Sequence, residues 1–251
     1  MHASQRREAI MTAVFEQGTA LTRELADRLN VSEVTIRTDF EVLERQGRVR
    51  RVHGGVTMSE TPLMGFDARA SQNVEAKQRI GAVAASLVSE GTTIILDSGT
   101  TIFELARHLP GLNDLVVLTP GVNISLALMD VSGIQVRLLG GRLVPHIAAT
   151  VGSPRQQGLE GEIAHVAFLG AGGMDSDHDV VEGSLDIAES KRSLIAASRR
   201  RVLLADSAKW FTLDRHKVIN VSQFDTVITD DAMPASTQDA IRATGVELIL
   251  A

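Results

Sequence analysis

The chain has 251 residues, of which 44% are hydrophobic and 3% aromatic, so it can bury a large core built mainly from aliphatic side chains. It has no cysteine, which excludes disulfides and thiolate metal sites, and no apolar run approaches the roughly 20 residues that span a bilayer. Scarce aromatic residues disfavour single-stranded nucleic-acid binding, which relies on stacking rings. Because the start is charged and unlike an apolar signal peptide, we expect a cytoplasmic protein with no membrane partner.

The net charge of −6 is unevenly distributed along the chain. Up to Thr57 there are nine basic and eight acidic side chains, so the acidic excess lies in the remainder. Four arginines fall within seven residues: Arg45, Arg48, Arg50 and Arg51. Such a local basic ridge can bind phosphates on an acidic protein, because salt screens charges beyond about 8–10 Å.

Apolar residues at helical spacing predict a first helix that Gly18 ends and a second, shorter helix that ends before Asn30. Ser32 is a suitable N-cap for a third helix, which we expect to run to Gln46. In that helix a stripe at i, i+4 and i+7 faces inward and consists of Ile36, Phe40 and Leu43.

With that stripe inside, the polar N-terminal turns of the third helix face outward, as in the recognition helix of a helix-turn-helix. Arg37 can read guanine, and Thr35 or Thr38 can bond to a base or a phosphate. After Gly47, valines flank a Gly-Gly pair, which predicts a β-hairpin wing. The candidate DNA-binding residues are Ser32, Thr35, Arg37, Thr38, Arg45, Arg48, Arg50, Arg51 and His53. Periodicity alone leaves open an ordinary three-helix bundle with solvated arginines.

Residues 58–73 lack a sustained period and contain Pro62 and Gly65, which indicates a linker. The region 74–251 begins with a helix to about Ser89 and then alternates apolar runs with helical segments. This alternation predicts an α/β domain with a mostly parallel sheet covered on both faces. The predicted strands are 93–96, 115–118, 136–139, 166–169, 202–205, 226–229 and 246–249.

Polar and glycine-rich segments follow most of these strands, and open α/β sheets bind ligands at the carboxyl ends of their strands. Residues 98–101 open a helix, where backbone N–H groups and hydroxyls favour a phosphate, although such residues also cap helices for structural reasons. We expect Lys209 to pair with the anion and Asp97 or Asp206 to bind sugar hydroxyls. For residues 230–231 we expect a strand-end cap or a surface ion pair.

Two sets of motifs resemble the DeoR family of bacterial regulators. In the first set, VSxxTIRxD begins at Val31, LExxG at Leu43 and RVHGG at Arg51. The second set consists of Phe66-x-x-Arg69, Asn73-x-x-x-Lys77, Asp97-Ser98-Gly99-Thr100-Thr101, Gly140-Gly141-Arg142, Phe168-Leu169-Gly170-Ala171, Glu182-Gly183-Ser184-Leu185 with Lys191-Arg192, and Asp206-Ser207-x-Lys209.

This resemblance implies a winged helix-turn-helix in residues 1–57 and, in 74–251, a sensor domain similar to ribose-5-phosphate isomerase. It implies that the chain is a regulator and not an enzyme. Such a regulator needs no metal or cofactor. The implied partners are double-stranded operator DNA, a phosphorylated sugar or related effector, and further copies of the chain in a dimer or tetramer. Such a protein usually represses a carbohydrate-metabolism operon. The candidate effector-binding residues are Asp97, Ser98, Gly99, Thr100, Thr101, Gly140, Gly141, Gly170, Asp206 and Lys209.

The chain departs from the family's usual sequence at three places. Thr38 and Phe40 stand where an arginine and a leucine are usual, so one bidentate donor is missing. Pro120-Gly121 replaces polar residues of an expected ligand loop, and His178-Asp179 stands where glycines are common. Two alternatives stay open: a sugar-phosphate isomerase that uses the acids and lysine named above, and an architectural DNA binder without an effector.

Overall fold

The structure is a computed structural model that describes residues 3–45, 49–58, 65–210 and 214–251. It divides into two compact units, Met1–Pro62 and Leu63–Ala251, each with its own aliphatic core. Within the described ranges, no helix is both long and apolar enough to cross a membrane.

In its described residues, the first unit contains three helices and a small antiparallel sheet with the strand order β1-β3-β2. Its elements are α1 Ala3–Gln17, β1 Thr19–Leu21, α2 Thr22–Leu29, α3 Glu33–Arg45, β2 Val49–Val52 and β3 Gly55–Met58. The predicted stripe of Ile36, Phe40 and Leu43 is fully buried in the core of this unit. The β1 strand was not predicted, because three residues are too few to show a period.

The second unit is an α/β domain. Its helices are α4 Phe66–Ala70, α5 Val74–Ala85, α6 Thr100–Ala106, α7 Val122–Leu128, α8 Pro154–Gln157, α9 Leu185–Ala196 and α10 Ala235–Ala243. Its strands are β4 Thr93–Leu96, β5 Leu115–Thr119, β6 Ile134–Leu138, β7 Arg142–Val144, β8 Ala149–Val151, β9 Ala164–Leu169, β10 Gly173–Met174, β11 Asp179–Glu182, β12 Ser198–Leu204, β13 His216–Asn220, β14 Thr226–Thr229 and β15 Glu247–Leu250.

The seven predicted strands form one parallel sheet in the order β15-β14-β12-β9-β4-β5-β6. Side chains that alternate along these strands enter two separate cores, one packed on α5, α6 and α7 and the other on α9 and α10. The predicted parallel sheet with two covered faces is therefore confirmed. Along the chain, β5 and β6 are added on one side of β4, and β9, β12, β14 and β15 follow on its other side. A topological switch point therefore lies between β4 and β9. Ligands of open α/β sheets bind at such points.

Two short antiparallel additions accompany the sheet. Strands β10, β11 and β13 form one, and the hairpin of β7 and β8 forms the other. Neither was predicted, since strands of two to five residues between glycines carry little pattern. Helix α4 lies in the stretch predicted to be a linker, and Phe66 at its start packs edge-on against the ring of Phe103 in α6.

Candidate functional site

Helix α3 presents a polar face because its apolar stripe is buried. The Ser32 Oγ accepts a hydrogen bond from the backbone N–H of Thr35 at 3.2 Å, so Ser32 caps this helix as predicted. Val34 is 68% exposed, and Arg37 and Thr38 are exposed on the same outer face. The orientation predicted for the first turns of this helix is confirmed.

The polar side chains of that face are held by weak local bonds. Arg37 Nη2 donates to Glu33 Oε2 at 2.7 Å, an exposed pair one helical turn apart. Such a pair contributes only about 0.3–0.5 kcal/mol, so a guanine base could replace Glu33 at little cost. The Thr38 hydroxyl donates to the carbonyl of Val34 at 3.1 Å, which leaves its oxygen free to accept.

Asp39, on the opposite side of α3, is a buried anchor that sequence reasoning missed. Arg6 Nε and Arg7 Nε both pair with its carboxylate, the second at 3.2 Å from Oδ1. Asp39 is only 3% exposed and Arg6 is largely buried, whereas Arg7 is partly exposed, so the two pairs tie α1 to the recognition helix through a buried carboxylate. The consecutive arginines near the start of the chain were the signal that could have indicated this partner.

The wing is a hairpin in which Val52 pairs with Gly55 around a turn at His53-Gly54. A Cβ on Gly55 would lie 2.1 Å from the carbonyl oxygen of Ala20, which explains why this position is glycine. The side chains of Arg50 and His53 are exposed. The predicted wing is confirmed. Arg48 and the side chain of Arg45 lie outside the described residues.

At the switch point of the second unit, Asp97 ties the loops after β4 and β9 together. Its Oδ1 accepts from the backbone N–H of Ser98 at 2.7 Å, and its Oδ2 accepts from the N–H of Gly170 at 3.0 Å. Asp97 is 4% exposed. Its carboxylate therefore holds the protein's own loops, and a bond to a sugar hydroxyl remains a prediction for it.

Lys191 in α9 is the buried centre of this arrangement. Its Nζ lies 2.8 Å from Asp97 Oδ2 and 2.7 Å from Glu182 Oε1, and it donates to the carbonyl of Gly170 at 2.6 Å. Burial by itself would lower the pKa of Lys191, but the two carboxylates outweigh it and the pKa lies above its ordinary value. Both Lys191 and Glu182 occur in the motifs of the family resemblance, yet neither was assigned to the site.

Two further buried cations, Arg69 and Lys209, lie beside this cluster, and the nearby carboxylates do not fully offset the cost of burying their charges. Burial lowers the pKa of Arg69, although Glu182 and Asp97 act in the opposite direction. Burial also lowers the pKa of Lys209, and the positive charge of Arg69 lowers it further against the effect of Asp206. The Arg69 Nε and Nη2 atoms are shielded from solvent and have no hydrogen-bond partner among the described residues. Arg69 was missed because it lies in the stretch interpreted as a linker.

Asp206 and Lys77, at the same edge, are held by hydrogen bonds to neighbouring residues. Asp206 Oδ1 accepts from Asn73 Nδ2 at 2.8 Å and from the N–H of Ala208 at 3.2 Å. Lys77 Nζ donates to the carbonyl of Arg69 at 2.5 Å and to that of Gln72 at 2.6 Å. These contacts bring α4, the start of α5 and the end of β12 to one place, next to Lys209.

The segment Ser98–Thr101 leads into α6. Gly99 precedes the helix with a φ of 125°, a conformation that favours glycine, and its carbonyl accepts from the N–H of Phe103. Ser98 and Thr100 are half-buried, whereas Thr101 is buried. The structure therefore places this loop beside Gly170, but one of its backbone donors, that of Ser98, is already used by Asp97.

Gly140 and Gly141 have a packing role. A Cβ on Gly140 would lie 2.3 Å from the carbonyl oxygen of Gln156, and one on Gly141 would lie 2.3 Å from that of Val151. These close backbone approaches explain both glycines without a ligand. Contact with an effector remains a prediction for them.

The sequence departures have local structural consequences. Pro120 accepts from the N–H of Thr150 at 2.9 Å, so β8 covers the loop that was expected to bind a ligand. His178 has a φ of 62°, in the left-handed region where glycine is favoured, and its ring packs edge-on against Trp210. Asp230 caps the loop at Ser207 and Asp231 pairs with an arginine on the surface, both as predicted.

Across the described ranges, no group of three or more His, Asp or Glu side chains could hold a metal ion. The charged side chains at the switch point include the ammonium of Lys191, paired with the carboxylates of Asp97 and Glu182, and the guanidinium of Arg69. The Nε and Nη2 atoms of Arg69 have no acceptor among the described residues. Such an arrangement can bind an anion that carries several acceptor oxygens.

Two family profiles match this chain, and one solved structure aligns with about half of it. In the solved structure of ribose 5-phosphate isomerase A from Methanocaldococcus jannaschii, 55% of each chain aligns, with 16% identity and a TM-score of 0.41. The family profile described as DeoR-like helix-turn-helix domain matches residues 6–61, and the profile described as DeoR C terminal sensor domain matches residues 72–231.

Curated relatives match over the whole length. The chain is 34% identical to the uncharacterized HTH-type transcriptional regulator YgbI of Escherichia coli K12, with 98% of this chain and 97% of that protein covered. It is 29% identical to the glycerol-3-phosphate regulon repressor of the same organism, with 100% of both proteins covered. The chain therefore belongs to the DeoR family of DNA-binding transcriptional regulators.

Proposed function

We propose that this protein represses a carbohydrate-metabolism operon and is released from its operator by a phosphorylated sugar or related metabolite. In this proposal it acts in the cytoplasm as a homo-oligomer, either a dimer or a tetramer, and has no catalytic role. The observation that carries the effector part is Arg69 beside Lys209 at the switch point, because its shielded Nε and Nη2 atoms have no partner among the residues that the structure describes. The relative named for the glycerol-3-phosphate regulon supports a phosphorylated effector.

A bound phosphate would supply acceptors for the unpartnered donors of Arg69 and an anionic partner for Lys209, whose Nζ donates to the carbonyl of Gly172 at 3.3 Å. A buried donor without a partner costs about 1–3 kcal/mol, and hydrogen bonds to charged groups contribute about 1.5–3 kcal/mol. Because burial lowers the pKa of Lys209, a nearby dianion would favour its charged form, whereas Arg69 carries its charge in any case. In this arrangement Lys191 holds Asp97 and Glu182, so that these carboxylates do not repel the ligand.

Calorimetry on the full chain tests the effector. The panel consists of ribose 5-phosphate, fructose 6-phosphate, glycerol 3-phosphate, inorganic phosphate and unphosphorylated ribose. We expect at least one phosphorylated compound to bind, and Arg69→Met and Lys209→Met each to weaken it about 10- to 100-fold. Arg79→Met removes an exposed arginine of α5 and serves as the matched control. If the whole panel fails to bind, the effector proposal is wrong.

Operator release follows from linkage between the two ligands. A coupling of about 1–3 kcal/mol would weaken operator binding about 5- to 150-fold when the effector is present. A gel-shift titration of a selected operator duplex with the bound compound measures this change. Tighter DNA binding on addition of the effector would contradict release and would show that the compound acts as a co-repressor. Turnover of ribose 5-phosphate would instead support the isomerase alternative.

The DNA face is tested by two arginines with different expected roles. We propose that Arg37 reads a base and that Arg50 contacts a phosphate, with Ser32, Thr35, Thr38 and His53 as further contacts. Arg37→Ala should therefore reduce discrimination between the operator and unrelated DNA, since a bidentate base contact is worth about 1–3 kcal/mol. Arg50→Ala should weaken both complexes equally. If Arg37→Ala left discrimination unchanged, the assigned orientation of α3 on DNA would be wrong.

A further inference from the structure

Arg51, one of the four clustered arginines, faces the recognition helix. Its Nη2 donates to the backbone carbonyl of Arg37 at 2.9 Å, and its Nε lies 3.6 Å from Glu44 Oε2. Its backbone N–H also donates to Glu44, at 3.2 Å from Oε1. The guanidinium carbon lies 5.3 Å from the centre of the Phe40 ring. One side chain of the wing thus contacts three successive turns of α3.

We propose that Arg51 is a positioning residue that locks the wing onto the recognition helix, and that it does not contact a DNA phosphate. Its guanidinium lies near two carboxylates, since Glu41 Oε1 is 3.9 Å away in addition to Glu44. These exposed pairs are weak by themselves, so the hydrogen bond to the carbonyl of Arg37 and the packing on Phe40 hold the guanidinium in place, while the two acids beside it would repel a phosphate. The neighbouring Arg50 lies on β2 with an exposed side chain, and it remains the phosphate contact.

Phe40 contributes an aromatic face on which the guanidinium of Arg51 packs. A leucine, the usual family residue here, would fill the core equally well, but it has no aromatic face for a guanidinium. Phe40 is fully buried, with Arg51 placed over its ring. The departure from leucine is therefore more than a repacking of the core, because it adds a contact between helix and wing.

The lock matters for recognition because it fixes the wing relative to the base-reading face. The carbonyl that accepts from Arg51 belongs to Arg37, the residue proposed to read a base. A wing free to move would present Arg50 and His53 to the DNA at variable positions. Affinity for the correct site would fall, whereas binding to unrelated DNA, which needs only charge, would change little.

Salt dependence separates a positioning residue from a phosphate contact. The probe is a duplex that the wild-type full chain selects from a random library, and a scrambled duplex of equal length serves as nonspecific DNA. Loss of one phosphate contact reduces the slope of log affinity against log salt by about 0.9. We expect Arg50→Ala to show this reduction. Arg51→Ala should keep the wild-type slope while binding the selected duplex about fivefold more weakly.

Two milder variants keep the test informative if Arg51→Ala folds poorly. Arg51→Lys retains the charge but loses the planar fork and its stacking, so it should resemble Arg51→Ala and not the wild type. Phe40→Leu should weaken specific binding about two- to fivefold with an unchanged slope. A wild-type-like Arg51→Lys, or a slope reduced in Arg51→Ala as much as in Arg50→Ala, would overturn the proposal.

The inference rests on the proposed DNA-binding face, and a measurement without DNA distinguishes their failures. In the free protein, Arg51→Lys and Phe40→Leu should each accelerate hydrogen exchange of the wing amides in β2 and β3. Arg50→Ala should not, since its side chain is exposed. Unchanged exchange in both variants contradicts the lock itself. Accelerated exchange in a chain that selects no duplex would support the lock and contradict only the DNA-binding face.

Discussion

Replacing Lys191 by methionine would leave the carboxylates of Asp97 and Glu182 buried without their shared counter-ion. The ammonium lies 2.8 and 2.7 Å from their oxygens. At an effective dielectric constant of about 20, each contact corresponds to a gross attraction of about 6 kcal/mol. Desolvation of three charges offsets much of this, and removal of one partner from a buried pair typically costs about 3–5 kcal/mol. We expect a loss of that size in the free energy of unfolding at pH 8.

The pH dependence follows from the raised pKa of Lys191 in the folded state. A group with a raised pKa contributes stability below its unfolded pKa, here ordinarily 10.5, and loses it only as pH rises through the folded value. The contribution in the wild type is therefore constant between pH 5 and pH 8.

Urea unfolding followed by tryptophan fluorescence measures the change in the free energy of unfolding of the second unit. Trp210 is the single tryptophan of the chain and is buried in the second unit. Arg137→Met is the control, because it removes an exposed ion pair with Glu162 and should cost less than about 1 kcal/mol. A loss below about 1 kcal/mol in Lys191→Met would refute the reasoning.

Two further substitutions test packing in each unit. Gly81→Ala should destabilise the second unit by about 1–3 kcal/mol, because its Cβ would lie 2.7 Å from the backbone carbon of Glu104 and this clash outweighs the helical gain of about 0.5–1 kcal/mol. Gly65→Ala, where the added Cβ meets open space, is the control, and equal effects would contradict the packing argument. Asp39→Ala should cost the first unit about 3–5 kcal/mol, seen as faster hydrogen exchange in α3 while the fluorescence transition of Trp210 stays unchanged. Unchanged exchange would show that the buried arginine pairs contribute little.

Local patterns predicted much of the fold. The buried stripe of α3, the cap at Ser32 and the seven strands of the parallel sheet all depend on the spacing of apolar residues within one element. The short strands β7, β8, β10 and β11 were not predicted, since two to four residues show no period and these strands form only by pairing with other strands. Their register depends on neighbours that a single segment does not contain.

The candidate sites were predicted only in part, for the same physical reason. Asp97, Gly170 and Lys209 follow strands, and the carboxyl ends of parallel strands meet at one edge, so their proximity could be anticipated. Arg69 lies on a five-residue helix that showed no period, and its unsatisfied donors are a property of three-dimensional surroundings.

Sequence by itself determined the two-unit organisation, the helix that carries Arg37 and the loops that gather at the sheet edge, because each is encoded in residues adjacent along the chain. Only the tertiary structure decided which partners the charged side chains have. Asp97 pairs with Lys191, and Arg51 packs on the ring of Phe40, because ion pairing and burial depend on residues from other elements.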